Sequence, residues 1–220
     1  MSFLKRFGRG KDRDNGPRLL EHPRDLEPGD IIRCGFAAQP EFSGEGFTVD
    51  SVETLDTGGD ATKLTFLLLS GVKHSVRLRV VDDDTTEIAL EVLPETVFAA
   101  FHEDDITEVL APDGGEHHQI TARNLAKIPP EIQPWVATRY RQEAYVKAYL
   151  YKDDYRNRPL PTAVNAGEIG CDYSLLVSDD RQHSLEFRVY DGGRTEAYFC
   201  TLIPVRKIEE LWPRSGNIDV

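Results

Sequence analysis

Alternating apolar and polar side chains mark one segment of the chain as strand-forming. Over residues 76–80, valine and leucine alternate with Arg77 and Arg79, and apolar runs of strand length flank this stretch at 65–69 and 85–93. Period-two alternation places successive side chains on opposite faces of a strand. A Ser-Gly pair and an Asp-Asp-Asp triplet separate the runs and favour turns. The segment therefore predicts a three-stranded antiparallel meander.

The same pattern recurs 109 residues further along the chain. His74–Glu87 aligns without a gap with His183–Glu196, and seven of the fourteen aligned residues are identical. Self-similarity at a fixed offset indicates tandem copies of one structural unit. We therefore predict an α+β, mainly β protein made of two tandem duplicated antiparallel β-meander modules. Proline precedes the stretches 95–101 and 205–211, so a short helix is expected to close each module.

The domain organisation follows from this repeat and from the composition between the copies. Asp-Gly-Gly at 113–115 and Ile-Pro-Pro at 128–130 interrupt regular structure and mark the boundary between the modules. The predicted divisions are a disordered basic N-terminal tail over 1–18, a first β-module over 19–112, a connector over 113–160 and a second β-module over 161–220, in which 174–202 repeats 65–93.

The connector admits two secondary structures, one helical and one extended. Apolar residues recur every four positions from Ile132 to Ala148 among good helix formers, which favours a helix over about 134–150. The alternative is a strand over 144–151, because alanine, valine and leucine alternate there with tyrosine and lysine. The helix is the preferred interpretation.

The register of each predicted hairpin follows from which side chains share a face. A three-residue turn keeps the apolar side chains of both strands on one face, and it places Arg79 opposite Glu87 and Arg188 opposite Glu196. Opposite charges that face each other across strands contribute about 0.2–1 kcal/mol. We therefore assign these two pairs a structural role in setting register, and we expect Glu186 and Arg188 to point away from the core.

Charge is unevenly distributed, and this changes the expected partners. The chain has 220 residues and a formal net charge of −12, but residues 1–18 carry six basic and two acidic side chains and the remainder carries 20 basic and 36 acidic ones. An acidic body repels phosphate backbones, so no nucleic-acid partner is expected. Since no run of 18 apolar residues occurs, we expect a cytoplasmic protein. The basic and apolar residues within 1–11 predict weak peripheral membrane contact.

One local cluster contains residue types that bind metals. The cluster contains His102, His117 and His118 together with neighbouring acidic residues. These histidines would be the metal ligands of a metal-dependent hydrolase. Adjacent histidines seldom both bind one ion, however, and the three cysteines form no Cys-x-x-Cys motif. Phosphate-binding glycine motifs are also absent from the sequence. We therefore expect no metal, no cofactor and no catalytic residue, and we keep the hydrolase as the alternative.

The best candidate contact surface is rich in tyrosine and arginine, which are favoured at interface hot spots. Its residues are Tyr140, Tyr145, Tyr149, Tyr151, Arg139, Arg141 and Arg156. This segment lies between the two repeats, where a partner would touch both. We therefore expect a non-enzymatic accessory or adaptor protein that binds a protein partner. A small-molecule sensor that binds its ligand between the two modules is the second alternative.

Two short motifs and the chain length resemble a known group of proteins. Ser2-Phe3-Leu4-Lys5-Arg6-Phe7-Gly8 and Glu143-Ala144-Tyr145-Val146-Lys147 are similar to segments of the YjfK-like family, an uncharacterised bacterial family. The family has no assigned activity or catalytic residues. Its members are thought to be encoded beside phage-shock-like coiled-coil proteins. The resemblance implies an accessory role in envelope stress at the inner membrane face.

Overall fold

The computed structural model describes residues 18–58, 63–111, 118–123, 126, 128–161 and 168–214. Within these residues the chain forms eleven strands and two α-helices, so the predicted α+β, mainly β class is confirmed. The strands are β1 (Ile31–Cys34), β2 (Gly46–Asp56), β3 (Lys63–Gly71), β4 (Ser75–Val80), β5 (Thr85–Val92), β6 (Gln119–Thr121), β7 (Arg139–Tyr151), β8 (Ile169–Ser178), β9 (His183–Tyr190), β10 (Thr195–Pro204) and β11 (Ile208–Trp212). The helices are α1 (Pro94–Ala100) and α2 (Glu103–Leu110).

The described strands form one antiparallel sheet that closes on itself. Their order is β11-β1-β2-β3-β4-β5-β10-β9-β8-β7-β6, and an additional pairing joins β2 to β7. This pairing places Leu55 opposite Leu150, and it closes the eight strands from β2 to β7 into a ring. The first residues of β2 pair with β1 instead, and the first residues of β7 pair with β6. The ring is therefore closed where β2 and β7 end and is extended by flanking strands where they begin.

One face of the sheet carries the larger apolar cluster. Leu78 of β4 and Phe187 of β9 contribute to this cluster, as the alternation predicts. Val97 of α1 and residues of α2 pack into the same cluster. Phe101, which follows α1, lies 6.5 Å from Phe199 of β10 between ring centroids. The two helices therefore cover this face.

The opposite face is concave and lines the inside of the ring. A second apolar cluster on this face joins Leu55 of β2, Phe66 of β3, Leu150 of β7 and Tyr173 of β8. The guanidinium carbon of Arg188 on β9 lies 4.9 Å from the centroid of the Phe66 ring. Since β9 and β3 have three strands between them in either direction round the ring, this contact crosses the interior. Phe66 and Arg188 are thus buried by contact with strands on the opposite side of the ring.

The two predicted meanders have matching topology. The first meander is β3–β5 and the second is β8–β10, and both pair their strands in chain order. They meet where β5 pairs with β10, and Leu90 lies there opposite Phe199, which is 109 residues further along the chain. The two meanders therefore meet at one pair of positions that the sequence repeat aligns. The origin of the meanders by duplication stays a prediction, as do the module boundaries, and the predicted tail over 1–17 lies outside the described residues.

The prediction of a helix after each meander is right for the first and wrong for the second. Helix α1 begins one residue before the predicted segment 95–101. The segment 205–211 instead contains a single 3-10 turn, Val205–Lys207, followed by β11. Strand β1 accounts for this difference, because it offers a free edge on which Leu211 pairs opposite Ile32. Cross-strand hydrogen bonds thus replace the helix.

The prediction of a helix over 134–150 is wrong, and the strand alternative is right but too short. Strand β7 spans thirteen residues, Arg139–Tyr151, and pairs with β8 along most of its length. A spacing of four residues fits a helical period of 3.6 and also a strand period of two, so the recurrence of apolar residues did not discriminate between them. A β-bulge between Gln142 and Ala144 shifts the register. Tyr140 and Ala148 therefore belong to different apolar clusters.

Candidate functional site

A cavity of about 320 Å³ lies on the concave side of the sheet, between strands of the two meanders. Its apolar wall includes Leu68, Ala89, Leu150 and Ile169. Its charged lining residues are Asp50, Glu53, Arg77, Glu91, Lys152, Arg194 and Glu196. Both meanders, together with the ring-closing strands β2 and β7, therefore contribute side chains to one space.

A buried cluster of two arginines and one glutamate lies on this face. The Nη2 of Arg77 and the Nε of Arg188 both donate to the same Oε1 of Glu186, at 3.0 and 2.9 Å. Glu186 is 2% exposed and Arg188 is 1% exposed. The prediction that Glu186 and Arg188 point outward from the core is therefore wrong, because both side chains are buried. Closure of the ring turns the polar face of the meander inward, so these side chains are buried.

The electrostatics of this cluster favour its charged form. Burial alone raises the pKa of Glu186, but Arg77 and Arg188 outweigh it and the pKa is lowered. Burial lowers the pKa of Arg188, but Glu186 outweighs it and the pKa is raised. Glu186 and Arg188 are thus both charged at neutral pH. Two arginines share this one carboxylate.

Arg77 is held in place by aromatic rings, although only one of its three nitrogens donates a hydrogen bond to a described residue. Its guanidinium carbon lies 3.3 Å from the ring centroid of Tyr198 and 4.5 Å from that of Phe66. Such stacking stabilises a cation, but it leaves the N–H groups in the guanidinium plane available. The Nε and Nη1 of Arg77 and the Nη2 of Arg188 are buried and have no acceptor among the described residues. Buried donors of this kind require an explanation, because an unmade hydrogen bond is costly.

The acidic residues of the cavity differ in their surroundings. Glu196 accepts hydrogen bonds from the hydroxyls of Tyr190 and Tyr198, at 2.8 and 3.0 Å. Burial raises the pKa of Glu53, and Arg188 and Arg77 only partly counter it. The cavity is therefore lined by both basic donors and carboxylates.

The two predicted register pairs lie opposite each other in the sheet, but only one of them forms an ion pair. Arg79 lies opposite Glu87 and donates two hydrogen bonds of 3.0 Å to its carboxylate. Arg188 lies opposite Glu196, as predicted. The guanidinium of Arg188 nevertheless turns to Glu186. The backbone register is thus the same in both hairpins, and the side-chain partners are not.

Two tyrosines of the predicted contact surface are buried and two are exposed. Tyr140 is fully buried, and its hydroxyl accepts a hydrogen bond of 2.7 Å from the backbone N–H of Ala137. Tyr151 is buried as well and packs edge-on against Tyr155. These two tyrosines therefore cannot contact a partner. Tyr145 and Tyr149 are 40% and 46% exposed on one face of β7.

The arginines of the predicted surface are placed apart from one another. Arg139 is exposed and pairs with Asp179 at 2.6 Å. Arg156 pairs with Asp154 at 2.6 Å and donates to the backbone carbonyl of Leu26, so it fastens the N-terminal segment to the turn after β7. Arg141 is exposed on β7. Of these three, Arg156 is committed to structure.

The alternative metal site is not assembled in the part of the chain that the structure describes. His102 is exposed immediately before α2, and the Nδ1 of His118 lies 3.5 Å from a carboxylate oxygen of Glu108. His117 lies outside the described residues. Within the described ranges, no three histidine, cysteine, aspartate or glutamate side chains are grouped to hold a metal ion.

No family model, no curated protein and no solved structure matches the chain. The resemblance to the YjfK-like family therefore stays a prediction. Among the described residues, no helix is both long enough and apolar enough to cross a membrane.

Sequence reasoning missed the buried charged cluster, above all Arg77, which lines the cavity, and Glu186, which accepts a hydrogen bond from it. One signal was present, since these two residues are 109 apart and so occupy the same position of the repeat. Opposite charges at equivalent positions of two paired copies are complementary if the copies pack about a local two-fold relation. The contact between Arg77 and Glu186 joins the two meanders of the closed sheet, and neither meander alone contains it.

Proposed function

We propose that this chain is a non-enzymatic binding protein that holds a small molecule in the cavity between its two meanders. The observation that carries the proposal is the buried guanidinium of Arg77, which lines the cavity with its Nε and Nη1 lacking any acceptor among the described residues. Arginine stays protonated at neutral pH and acts as a hydrogen-bond donor, so it is a binding group. A ligand that accepts these hydrogen bonds would remove their energetic cost.

The dimensions of the cavity agree with such a role. Ligand sites in proteins are concave and mostly apolar, with a few polar groups that fix orientation. The smallest of them have volumes of about 300 Å³. The present cavity of about 320 Å³ combines an apolar wall with seven charged side chains, of which only Arg77 is buried. A ligand that bound there would touch both meanders, as the sensor alternative expects.

Thermal stability of the purified full chain in the presence of a chemically diverse panel of metabolites tests the proposal. Binding to the folded state raises the melting temperature in a concentration-dependent way. The control is Ser75→Phe, because Ser75 lines the cavity and is exposed, so a phenylalanine there would block the entrance without disturbing the core. We expect at least one compound to stabilise the wild type and to lose its effect in this variant. The absence of any stabilising compound that is sensitive to Ser75→Phe would overturn the proposal.

The adaptor role is the second candidate, and the exposure of Tyr145 and Tyr149 favours it. These side chains flank Lys147 on one face of β7, and an exposed pair of tyrosines beside a lysine suits a protein partner. The envelope-stress role implied by the family resemblance would place that partner at the inner membrane face. Affinity capture with the wild type and with Tyr145→Ser/Tyr149→Ser is the test. An identified partner that binds both equally would argue against this surface.

A further inference from the structure

We infer that the ligand of the cavity is a small organic carboxylate whose charged group is bound by Arg77. This inference rests on the proposed binding function and names the chemical class of the ligand. It depends on three features of the described residues, which are the free donors, the charge of the buried cluster and the composition of the cavity wall.

The free donors point to an acceptor that is absent from the described chain. Arg77 is 6% exposed and lines the cavity, and of its three nitrogens only Nη2 donates to a described residue, Glu186. Its position is fixed by the rings of Tyr198 and Phe66, so the guanidinium cannot turn away to find another partner. A carboxylate is the smallest organic group that accepts several such bonds at once.

The hydrogen-bonded groups of the cluster include more cations than anions. Arg77 and Arg188 share Glu186, whereas Arg79 is already matched by Glu87. Glu53 interacts electrostatically with both arginines of the cluster, but the Nε and Nη1 of Arg77 donate no hydrogen bond to it. Buried donors of a charged group are costly to leave unpaired, and one carboxylate beside Arg77 would accept from them. The ligand that fits these donors is a monoanion.

The wall of the cavity selects against a more highly charged ligand. Four acidic and three basic side chains line the cavity, so a phosphate dianion would be repelled more strongly than a monoanion. Leu68, Leu150 and Ile169 supply apolar surface for a short hydrocarbon body. A short-chain or aromatic monocarboxylate therefore fits better than inorganic phosphate.

Calorimetric titration of the full chain with matched probes tests this class. The probes are butyrate and benzoate as carboxylates, butyramide as the neutral isostere, butylamine as the cation, and inorganic phosphate. We expect a carboxylate to bind at least about tenfold more tightly than butyramide, because the hydrogen bonds to Arg77 are charge-assisted. We expect phosphate and butylamine to bind more weakly still.

Three variants locate the binding. Arg77→Met removes the proposed anchor and leaves Glu186 and Arg188 as a balanced pair, so the variant is expected to fold. Arg33→Met is the matched control, because it makes the same change of charge at an exposed position of β1. We expect at least about a tenfold loss of carboxylate affinity in Arg77→Met and none in Arg33→Met. Ser75→Phe, which keeps all three charged side chains of the cluster, is expected to abolish binding independently.

The outcomes separate this inference from the proposed function. If butyramide bound as tightly as butyrate, the carboxylate assignment would be overturned. Carboxylate binding that persisted in Arg77→Met would overturn it as well. If a neutral or cationic compound bound and Ser75→Phe abolished its binding, the cavity would still be a ligand site and only the ligand class would be wrong. If no probe and no metabolite showed binding sensitive to Ser75→Phe, both proposals would fail.

Discussion

The hairpins β4–β5 and β9–β10 have the same register and the same cross-strand arginine and glutamate, but they use them differently. In the first hairpin, Arg79 forms two hydrogen bonds of 3.0 Å with Glu87. In the second, Arg188 forms its ion pair with Glu186 on its own strand, and Glu196 accepts from tyrosine hydroxyls instead. Identical backbone pairing therefore does not determine the ion pair.

The residue two positions before each arginine explains the difference. In the first hairpin that residue is Arg77, which repels Arg79 and leaves it to pair across the strands with Glu87. In the second hairpin it is Glu186, which attracts Arg188 along the strand and Arg77 from the other meander. One difference between the two meanders thus replaces a local cross-strand pair with a cluster that joins both meanders.

The largest expected effect is that of Glu186→Gln. Glutamine keeps the volume of the side chain, but it leaves two buried arginines without an anion, and loss of one partner from a buried ion pair costs about 3–5 kcal/mol. Urea unfolding at pH 7 measures the loss of stability. Glu196→Gln is the matched control, because it makes the same change at the residue opposite Arg188 in the same hairpin. A glutamine there still accepts hydrogen bonds from Tyr190 and Tyr198. An equal loss in both variants would contradict the central role of Glu186.

The stabilisation by Glu186 is expected to depend on pH. Because the pKa of Glu186 is lowered in the folded state, its contribution is present above the ordinary glutamate value of 4.5 and is lost as the pH falls through the folded pKa. The difference in unfolding free energy between the wild type and Glu186→Gln should therefore be constant near neutral pH and shrink in acid. Urea titrations at a series of pH values measure it, and a difference that grows as the pH falls would refute the assignment.

A smaller effect is expected for the ion pair of the first hairpin. Glu87→Gln removes the charge from two hydrogen bonds to Arg79, and hydrogen bonds to charged groups contribute about 1.5–3 kcal/mol. Arg79 is less buried than Arg188, so water compensates part of the loss. Urea unfolding should place Glu87→Gln between Glu186→Gln and Glu196→Gln. A cost below that of Glu196→Gln would show that this pair does not stabilise the hairpin.

The smallest effect, and one of opposite sign, is expected for Glu53→Gln. Burial raises the pKa of Glu53 in the folded state. Its contribution to stability is then present below the ordinary glutamate value of 4.5 and is lost as the pH rises through the folded pKa. The variant should therefore be slightly more stable than the wild type at pH 7 and equal to it in acid. Thermal unfolding at both pH values measures this, and destabilisation at pH 7 would mean that Glu53 supplies the anion that Arg77 lacks.

The candidate site was much less predictable from the sequence than the fold. The alternation around Arg77 and Arg79 correctly places both side chains on the polar face of β4, but a polar face is normally exposed, and Arg77 is buried. The exposure of Tyr140 was also predicted wrongly. Its residue type suggested an interface, but it packs against Phe101 in the core. Residue type and periodicity specify a face, and only the surrounding strands specify its exposure.

What the sequence determined by itself is local. Period-two alternation defined the strands of both meanders, and the turn lengths defined the registers that place Arg79 opposite Glu87 and Arg188 opposite Glu196. The tertiary structure alone decided that β2 pairs with β7, since this contact joins residues almost a hundred positions apart and leaves no periodic signal. Closing the ring turned a polar sheet face into an interior and brought Arg77 to Glu186. The cavity exists for that reason.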